Sequence, residues 1–473
     1  MTDLFLAIDG GSQSTKASVV DQFGTVVAAA AVPLRPYELG PDGEAVHPDD
    51  DLWDTLVAAT REVLVRLVAA GGDPAAIVAV GLCGIRFCRS LIGVDGRLVE
   101  PVLSWMDARV SRPLADVPDG TSLVASAGGY LAVRLTGERR DSAASYQGMW
   151  PIDPRTRQWS QDPDEVTRTG IALDLLPELV DPGGLLGHVT PEAAGPTGIP
   201  VGLPVYATGN DKAVEALGSG LVEPGAVLLS LGTYIASMTV GERHVAGDDE
   251  RFWINAAAVP GRYLYESVGI RRGMWTVTWL QQLVSAAAPD ATDVAAVQQW
   301  LEEGARNVPP GCGGLMTLPD WLAPGHAPYR RGVILGLEGS HQAAHLHRSV
   351  LEGILMTMRG HTAAMEAALG TTPGRLVLSG GGSRSALMCQ IAADVFGRTV
   401  ERSAVADAAG LGAAICAAVG NGTYPTFGSA VRGMVRPGEI IEPGPAAASY
   451  AEILPAYASI NAFTDPLFQR LAT

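Results

Sequence analysis

The chain has 473 residues, 47% of them hydrophobic and 18% charged, with 57 glycines and 32 prolines spread along its length. This length suits two domains of roughly 100 to 200 residues each, and the composition is that of a folded globular protein. Its 50 acidic and 33 basic residues give a net charge of −17, which argues against nucleic acid and anionic membranes as partners.

The start of the chain and its cysteines predict the cellular compartment of the protein. Residues 1–9 lack the basic stretch of a signal peptide, and no apolar run reaches the about 18 residues of a membrane helix. The cysteines are dispersed and lack paired C-x-x-C spacing, at Cys83, Cys88, Cys312, Cys389 and Cys416. We therefore expect a cytoplasmic protein with reduced thiols.

The first hundred residues predict alternating strands and helices. Short apolar runs predict strands at 4–8, 17–20, 25–31, 77–82 and 89–94. Residues 49–70 place apolar side chains at helical spacing behind three aspartates, which predicts an amphipathic helix. The turn sequence Asp95-Gly96 predicts a hairpin from the last strand to Leu98 and Val99. This alternation indicates an α/β fold.

Later segments predict strands that end in loops of small residues. Such strands are predicted at 205–208, 227–231 and 375–379. The first leads through Gly209-Asn210-Asp211 into a predicted helix at 212–218. The last leads through Gly380-Gly381-Gly382 into a predicted helix at 386–396. A strand, a glycine turn and a helix together form a nucleotide-binding corner in many proteins.

The turn from Asp9 to Lys16 contains glycines, hydroxyls, one carboxylate and one cation. These groups can hold Mg²⁺ and phosphate, although a plain strand turn can have a similar composition. The chain has no G-x-x-x-x-G-K-[ST] loop and no G-x-G-x-x-G after the first strand, so its phosphate site is of another type. Asp211 is either the N-cap of the following helix or a general base.

Several motifs in this order resemble the FGGY carbohydrate kinases, whose superfamily includes actin, the 70-kDa heat-shock chaperones and hexokinase. The first turn resembles the family's D-x-G-T-x-S-x-K loop, with Ser12 in place of threonine. Gly209 to Asp211 resemble its G-x-D segment. Residues 332–337 and 345–352 fit its signature G-x-I-x-G-L…H-L-x-x-S-V-L-E. The resemblance spans about residues 4 to 420.

The resemblance implies a fold, a reaction and two substrates. The fold would be α/β, with two ribonuclease H-like domains of the actin-like ATPase type around a central cleft. Residues 1–242 would form the sugar-binding domain and residues 243–473 the nucleotide-binding domain. The reaction would transfer phosphate from ATP, with Mg²⁺, to a hydroxyl of a small sugar or polyol. A homodimer is left open, since dimers are common among such enzymes.

The resemblance also assigns roles to individual residues. Asp211 would be the general base, and Asp9 would bind Mg²⁺ through water. The expected ATP contacts are Gly11, Ser12, Gln13, Ser14, Lys16, Gly232, Thr233, Gly273, Gly381, Gly382 and Ser385. The expected sugar contacts are Arg86, Phe87, Trp105, Asp107, Arg109 and Asn210. An alternative for Asp107 and Arg109 is a purely structural ion pair between the two.

Three departures from the family pattern concern the substrate. Ile85 and Tyr234 replace polar residues of the family motifs, and the segment 111–129 is short, which predicts a more open sugar site. We expect a ketopentose of the xylulose or ribulose type as the acceptor. The alternatives are a kinase for a pentitol, a tetritol or glycerol, and a non-catalytic sensor of sugar or nucleotide on the same fold.

Overall fold

A computed structural model describes residues 2–245, 251–287, 294–405 and 407–472. The strands are, in chain order, β1 (Leu4–Gly10), β2 (Ser14–Asp21), β3 (Val26–Pro33), β4 (Glu38–Leu39), β5 (Ala45–Val46), β6 (Ile77–Gly84), β7 (Ser90–Gly93), β8 (Thr121–Ala125), β9 (Arg140–Ser142), β10 (Ile152–Asp153), β11 (Gln158–Trp159), β12 (Glu178–Val180), β13 (Leu185–His188), β14 (Pro204–Asn210), β15 (Ala226–Leu231), β16 (Ile235–Gly241), β17 (Phe252–Ala256), β18 (Tyr263–Ser267), β19 (Met316–Leu318), β20 (Val333–Leu335), β21 (Arg375–Ser379), β22 (Val400–Arg402) and β23 (Glu439–Ile441). The helices are α1 (Asp51–Ala69), α2 (Ala127–Thr136), α3 (Pro163–Thr169), α4 (Pro191–Thr197), α5 (Asp211–Gly218), α6 (Gly273–Ala287), α7 (Val294–Arg306), α8 (Ala343–Leu369), α9 (Ala386–Phe396), α10 (Ala408–Gly420), α11 (Phe427–Met434) and α12 (Ala446–Leu471).

The first large sheet has the strand order β13-β14-β6-β1-β2-β3. Its central strand β1 pairs in parallel with β6 and antiparallel with β2. Side chains alternate between the faces of a strand, so Leu6 and Ile8 pack on the α1 side while Phe5 and Ala7 pack on the α10 side. Because both faces are covered, β1 is apolar along its run rather than alternating with polar residues.

The second large sheet has the strand order β17-β18-β16-β15-β21-β22-β23. Its central strand β15 pairs in parallel with β21 and antiparallel with β16. One face packs against α8 and α9, and the other shares an apolar cluster with α5 and α10. That cluster also contains Phe5 and Ala7 of the first sheet. The two sheets are therefore joined by a common core through α5 and α10.

The crossing of α5 and α10 depends on glycine. A Cβ atom at Gly218 would lie 1.8 Å from the carbonyl oxygen of Ala408, and one at Gly412 would lie 2.0 Å from that of Val214. Neither helix could approach the other this closely with any larger residue. The small-residue sequence of α10 thus fixes the position of α5, whose first residue is Asp211.

The two sheets confirm an α/β protein built in two parts, but they divide the chain earlier than the boundary predicted at 242. Strands β15 and β16 belong to the second sheet, because β15 pairs with β21 far along the chain. A cut between 1–242 and 243–473 would separate them from that sheet. Helix α10, late in the sequence, also returns to pack against β1 and β6.

The strands predicted around the Asp95-Gly96 turn are partly corrected. The turn forms, with Gly93 N donating to Arg97 O at 2.8 Å. The main partner of β7 is β8, however, and Leu98 makes only an isolated bridge to Ile92. Pro101 follows closely and lacks an N–H group to extend that ladder.

The remaining general expectations concern thiols and helices. All five cysteines are free and buried. Across the ranges that the structure describes, no helix combines the length and the apolar character needed to cross a membrane.

Candidate active site

Asp9 lies near the end of β1, facing Lys16 of the neighbouring strand in the β1–β2 register. The Asp9 side chain is buried; its Oδ1 accepts a hydrogen bond from Cys83 Sγ at 3.3 Å and its Oδ2 lies 3.5 Å from Lys16 Nζ. Burial raises the pKa of Asp9 to about 6, against the lowering effect of Lys16, and the charges of Asp407 and Asp211 raise it further. Acidic groups therefore crowd this end of β1.

Asp407 is a member of this group that the sequence did not reveal. It is the residue before α10, and its Oδ1 lies 3.6 Å from Lys16 Nζ. Lys16 is thus shared by Asp9 and Asp407; burial alone would lower the pKa of Lys16, but these two carboxylates raise it. An acid directly before a helix of small residues was the available signal, because such a residue often lies at a helix N-terminus.

Asp211 is the first residue of α5, and Asn210 before it is the N-cap. Asn210 Oδ1 accepts hydrogen bonds from the backbone N–H groups of Lys212 and Ala213 at 3.1 and 3.0 Å. The N-cap alternative for Asp211 is therefore wrong. The Oδ1 atom of Asp211 is buried and has no hydrogen-bond partner among the described residues. The charge of Asp211 raises the pKa of Arg86 and of Asp9.

The structure does not support the prediction that Asn210 contacts a sugar. Its side chain is 1% exposed, and its Nδ2 donates to Ala144 O at 2.9 Å while its Oδ1 caps α5. Both ends of the amide are thus used within the protein. Asn210 positions Asp211 rather than facing the cleft.

Arg86 and Phe87 follow β6 at the base of the cleft. The Arg86 guanidinium makes two hydrogen bonds to the Glu266 carboxylate, at 2.5 and 2.7 Å. Glu266 lies on β18, so this pair connects the first sheet to the second. Burial would lower the pKa of Arg86, but Glu266 raises it well above its usual range. Phe87 has a φ of 64° and lies under the guanidinium at 5.2 Å.

Among the predicted sugar contacts, Asp107 and Arg109 form the ion pair foreseen as the structural alternative. Asp107 accepts from Arg109 Nε and Nη2 at 2.9 and 2.7 Å and from Ala45 N at 2.8 Å. Despite burial, these bonds lower the pKa of Asp107. Asp107 is 1% exposed, whereas Trp105 is 38% exposed. Trp105 therefore offers a free surface, as does its neighbour Met106 at 52% exposure, and Asp107 holds the loop in place.

Two aromatic residues beneath this loop were not identified from the sequence. Tyr37 OH donates to Ser12 O at 3.2 Å, and the His47 ring packs edge-on against Tyr37 at 4.9 Å. His47 is 1% exposed, and no described residue forms a hydrogen bond with either of its ring nitrogens. Burial lowers the pKa of His47 to about 4, with a smaller opposing effect of Asp51. His47 is thus a buried neutral imidazole that reaches the β1–β2 turn through Tyr37.

The first two expected phosphate loops are turns between antiparallel strands. Gly11, Ser12, Gln13 and Ser14 lie at the β1–β2 connection, where Gly11 N donates to Ser14 O at 3.2 Å. Gly232 and Thr233 lie at the β15–β16 connection, and the Thr233 side chain is exposed. Both turns leave hydroxyl groups available at the ends of central strands.

Gly273, a predicted nucleotide contact, instead supports the second loop. Its backbone N–H donates to Thr233 O at 2.8 Å, and Met274 N donates to Gly232 O at 3.2 Å. A Cβ at Gly273 would lie 2.3 Å from the Ile235 side chain. The start of α6 is therefore tied to this loop, and the N–H group of Gly273 is already engaged.

The glycine corner after β21 lies beside the second loop, because β15 and β21 are neighbours. Gly381 is exposed, whereas Gly382 is buried and a Cβ there would lie 2.9 Å from Leu231 Cβ. Ser385 caps α9 by accepting from Met388 N at 3.0 Å and donates to Glu302. Gly381 thus faces outward, while Gly382 and Ser385 shape the corner.

Helix α5 connects these loops to the acidic group. Lys212 Nζ donates to Glu215 at 2.8 Å and to Ser230 Oγ at 3.0 Å, and Ser379 Oγ donates to Glu215 at 2.5 Å. Ser230 and Ser379 precede the second loop and the glycine corner. These buried polar residues were not predicted, since their partners are distant in the sequence.

The acidic group suits a divalent ion that also binds phosphate. In the part of the chain that the structure describes, no set of three or more His, Cys, Asp or Glu side chains is placed to enclose a metal by itself. Mg²⁺ commonly keeps several waters and binds one or two carboxylates together with substrate phosphates. Asp9 and Asp211, which share a buried, acid-rich corner, fit that pattern.

Two α/β parts with strand turns on either side of an acidic cleft correspond to the two-domain actin-like ATPase fold, and solved structures confirm this fold. The crystal structure of xylulose kinase from Rhodospirillum rubrum matches with a TM-score of 0.83 at 27% identity, covering 98% of this chain and 99% of that one. Gluconate kinase from Lactobacillus acidophilus matches with a TM-score of 0.84 at 19% identity, over the full length of both chains.

The chain belongs to the FGGY family of carbohydrate kinases. Residues 227–420 match the C-terminal domain of that family. The chain is 41% identical over 441 residues to the uncharacterized sugar kinase YgcE of Escherichia coli strain K12, covering 93% of this chain and 89% of that protein. The predicted class is therefore confirmed: the protein is a carbohydrate kinase, which transfers a phosphoryl group to a sugar hydroxyl, and its family uses ATP.

Proposed function

We propose that this kinase phosphorylates a ketopentose of the xylulose or ribulose type, with Asp211 as the general base and Mg²⁺ bound near Asp9. The observation that carries the proposal is the buried Oδ1 of Asp211, to which no group in the described part of the chain donates a hydrogen bond. A buried carboxylate oxygen without a donor is unfavourable. The hydroxyl of an acceptor sugar would supply that donor and then lose its proton to the same oxygen.

The surrounding residues would orient the reactants. Asn210 fixes the first turn of α5, and Arg86, held by Glu266, places a positive charge near Asp211. The Ser12 and Thr233 turns would hold phosphate oxygens, and Gly381 would lie against the nucleotide. Bound Mg²⁺ would neutralise phosphate charge during transfer. Because the transition state is loose, this positioning contributes more than bond-making by the protein.

The substrate class is supported by relatives. A xylulose kinase of Staphylococcus epidermidis is 24% identical over 93% of this chain, and the Rhodospirillum rubrum enzyme is also a xylulose kinase. An autoinducer-2 kinase of Yersinia enterocolitica is 27% identical over 92% of the chain. Because relatives of similar identity are named for different substrates, the test also includes pentitols, tetritols and glycerol as competing acceptors. A non-catalytic sensor is the second candidate, and the test below separates it from a kinase.

The test measures ATP consumption with Mg²⁺ across pentuloses, pentitols, tetritols, hexoses and glycerol. We expect turnover with a pentulose and a drop of about 10²- to 10⁴-fold in kcat for Asp211→Asn, as for loss of a general base. Asp95→Asn, in an exposed turn, is the matched control and should behave as wild type. Calorimetry should show that Asp211→Asn still binds the sugar.

Two outcomes would contradict the proposal. Sugar binding without turnover in the wild type would favour the sensor. Turnover that survives in Asp211→Asn would remove Asp211 from the role of base, and turnover confined to a polyol would replace the ketopentose.

A further inference from the structure

A pocket lined by residues from both parts of the protein contains none of the residues discussed as the active site. Its volume is about 540 Å³, within the roughly 300 to 1,000 Å³ of small-molecule sites. One wall comes from residues 146–168, which lie between β9 and β12 in the chain. The other comes from β17 and Tyr263 of the second sheet. A ligand in this pocket would therefore contact both parts of the protein.

Gln147 supplies an unpaired buried amide to this pocket. Its side chain is 8% exposed, and within the described ranges neither Nε2 nor Oε1 has a hydrogen-bond partner. The adjacent Tyr146 packs edge-on against Trp150 and Trp159, each at 4.8 Å, which makes this wall rigid. An amide that is buried with both ends unbonded is unfavourable. A ligand that both donates and accepts, as a hydroxyl group does, would satisfy it.

Arg157 supplies a cation. Its backbone has a φ of 56°, and its N–H donates to Asp153 O at 2.8 Å. This conformation directs the side chain across the pocket, where the guanidinium lies over the Tyr263 ring at 5.4 Å. Arg168, the other arginine of the pocket, is paired with Glu165 at 2.6 Å. Of the pocket arginines, Arg157 is the one for which the described residues offer no ion-pair partner. Three carboxylates also line the pocket, those of Asp153, Asp162 and Glu165. Glu165 is the partner of Arg168, and the other two accept hydrogen bonds from backbone N–H groups of their own turns.

The opposite wall, formed by β17, is polar because it presents backbone peptide groups. Among the described strands β17 is the edge of the second sheet and pairs with β18 on one side, so no described strand pairs with the peptide groups on its outer side. Asn255 of this strand donates to Glu266 at 3.3 Å, and Glu266 holds Arg86. The pocket is therefore linked to the active site through two buried polar contacts.

We propose that this pocket binds a small hydroxylated anion, of which a sugar phosphate is the simplest example, as an effector of the kinase. Arg157 would pair with the anionic group. Gln147 and the outer edge of β17 would bond the hydroxyls. Because the walls come from both parts of the molecule, the bound anion favours one arrangement of the cleft over others. The proposal goes beyond the acceptor and the base and does not depend on either.

The test is calorimetric titration of the full chain with D-ribose 5-phosphate, D-ribose and inorganic phosphate. We expect ribose 5-phosphate to bind once per chain, and the two fragments to bind at least about tenfold more weakly. Arg157→Gln should weaken ribose 5-phosphate binding about ten- to a hundredfold, as for loss of a charged hydrogen bond. Arg155→Gln, two residues away and exposed, is the matched control and should bind as wild type.

Further titrations distinguish binding in this pocket from binding in the catalytic cleft. Binding should persist in Asp211→Asn and in the presence of a saturating acceptor sugar, and Gln147→Leu should weaken it with unchanged circular dichroism. The product of the kinase, titrated in the same way, shows whether the effector is its own product or another sugar phosphate. The proposal is overturned if ribose 5-phosphate does not bind, if the acceptor sugar displaces it, or if Arg157→Gln binds it as tightly as wild type.

Discussion

Arg86 and Glu266 form a two-point ion pair across the cleft, with N–O distances of 2.5 and 2.7 Å. Arg86 follows a strand of the first sheet and Glu266 lies on a strand of the second. Glu266 is fully buried, so the pair is screened little by solvent. This contact therefore couples the geometry around Asp211 to the relative position of the two sheets.

Replacing Glu266 by Gln should weaken both the fold and acceptor binding. The change leaves the Arg86 guanidinium buried without its counter-charge, which typically costs about 3–5 kcal/mol. We expect a lower midpoint in urea unfolding and a raised KM for the sugar. Glu223→Gln is the control, because Glu223 pairs with Arg262 at the surface, where such pairs contribute about 0–1 kcal/mol. Equal effects of the two substitutions would contradict a coupling role for Arg86 and Glu266.

Asp9→Asn should change the response of the enzyme to Mg²⁺. An amide is a neutral and weaker ligand than a carboxylate, so we expect the half-saturating Mg²⁺ concentration to rise by about tenfold or more. The measurement is initial rate against free Mg²⁺ at fixed ATP. Asp3→Asn, whose carboxylate pairs with Thr423 away from the cleft, should leave this curve unchanged. An unchanged curve for Asp9→Asn would remove Asp9 from the metal site.

His47 should make the protein less stable in acid. Its pKa is about 4 in the folded state and about 6.5 in an unfolded chain, so the unfolded state binds more protons between these values. Stability is therefore complete above pH 6.5 and is lost as the pH falls towards 4, by up to about 3 kcal/mol.

The measurement is the free energy of unfolding from pH 7 to pH 4 for wild type and His47→Gln. The variant should show a shallower pH dependence, whatever its stability at pH 7. His188→Gln, at an exposed position of β13, should keep the wild-type slope. Parallel curves for wild type and His47→Gln would show that the buried imidazole does not titrate in this window.

Two glycine-to-alanine substitutions in helices should have opposite effects. At Gly412 the new Cβ would lie 2.0 Å from Val214 O, so α5 and α10 must separate, with an expected loss of about 3 kcal/mol or more. At Gly360 no atom lies within 4 Å of the new Cβ, so alanine should stabilise α8 by about 0.5–1 kcal/mol. Thermal unfolding of both variants measures this, and losses of equal size would contradict the packing argument.

The sequence predicts what depends on local pattern. The apolar run at 4–8 and the helical spacing at 49–70 correspond to β1 and α1, and the glycine corner before 386–396 precedes α9. These elements are predictable because side-chain periodicity and turn residues act over a few positions. The motif resemblance adds the order of the elements and the family, which the comparisons confirm.

What the sequence does not predict are partners brought together from distant segments. Glu266 lies 180 residues from Arg86, and Asp407 is far from Lys16 in sequence although their charged atoms are 3.6 Å apart. Asn210 and Gly273 stand in the motif, yet their polar groups are bound within the protein. The position of a residue in a motif predicts that it lies near the site. Its hydrogen bonds within the protein determine whether its side chain or N–H group is available to a ligand.

The five buried cysteines determine how the folded chain meets thiol reagents. Burial raises the pKa of Cys88 to about 12 and that of Cys389 to about 11, and it also raises the pKa values of the other three. At neutral pH all five remain protonated, and only the thiolate form reacts. A fluorescent maleimide would therefore label new cysteines placed on either side of the cleft, while the five native cysteines of the folded chain stay unlabelled. The native thiols would become visible only when the chain unfolds.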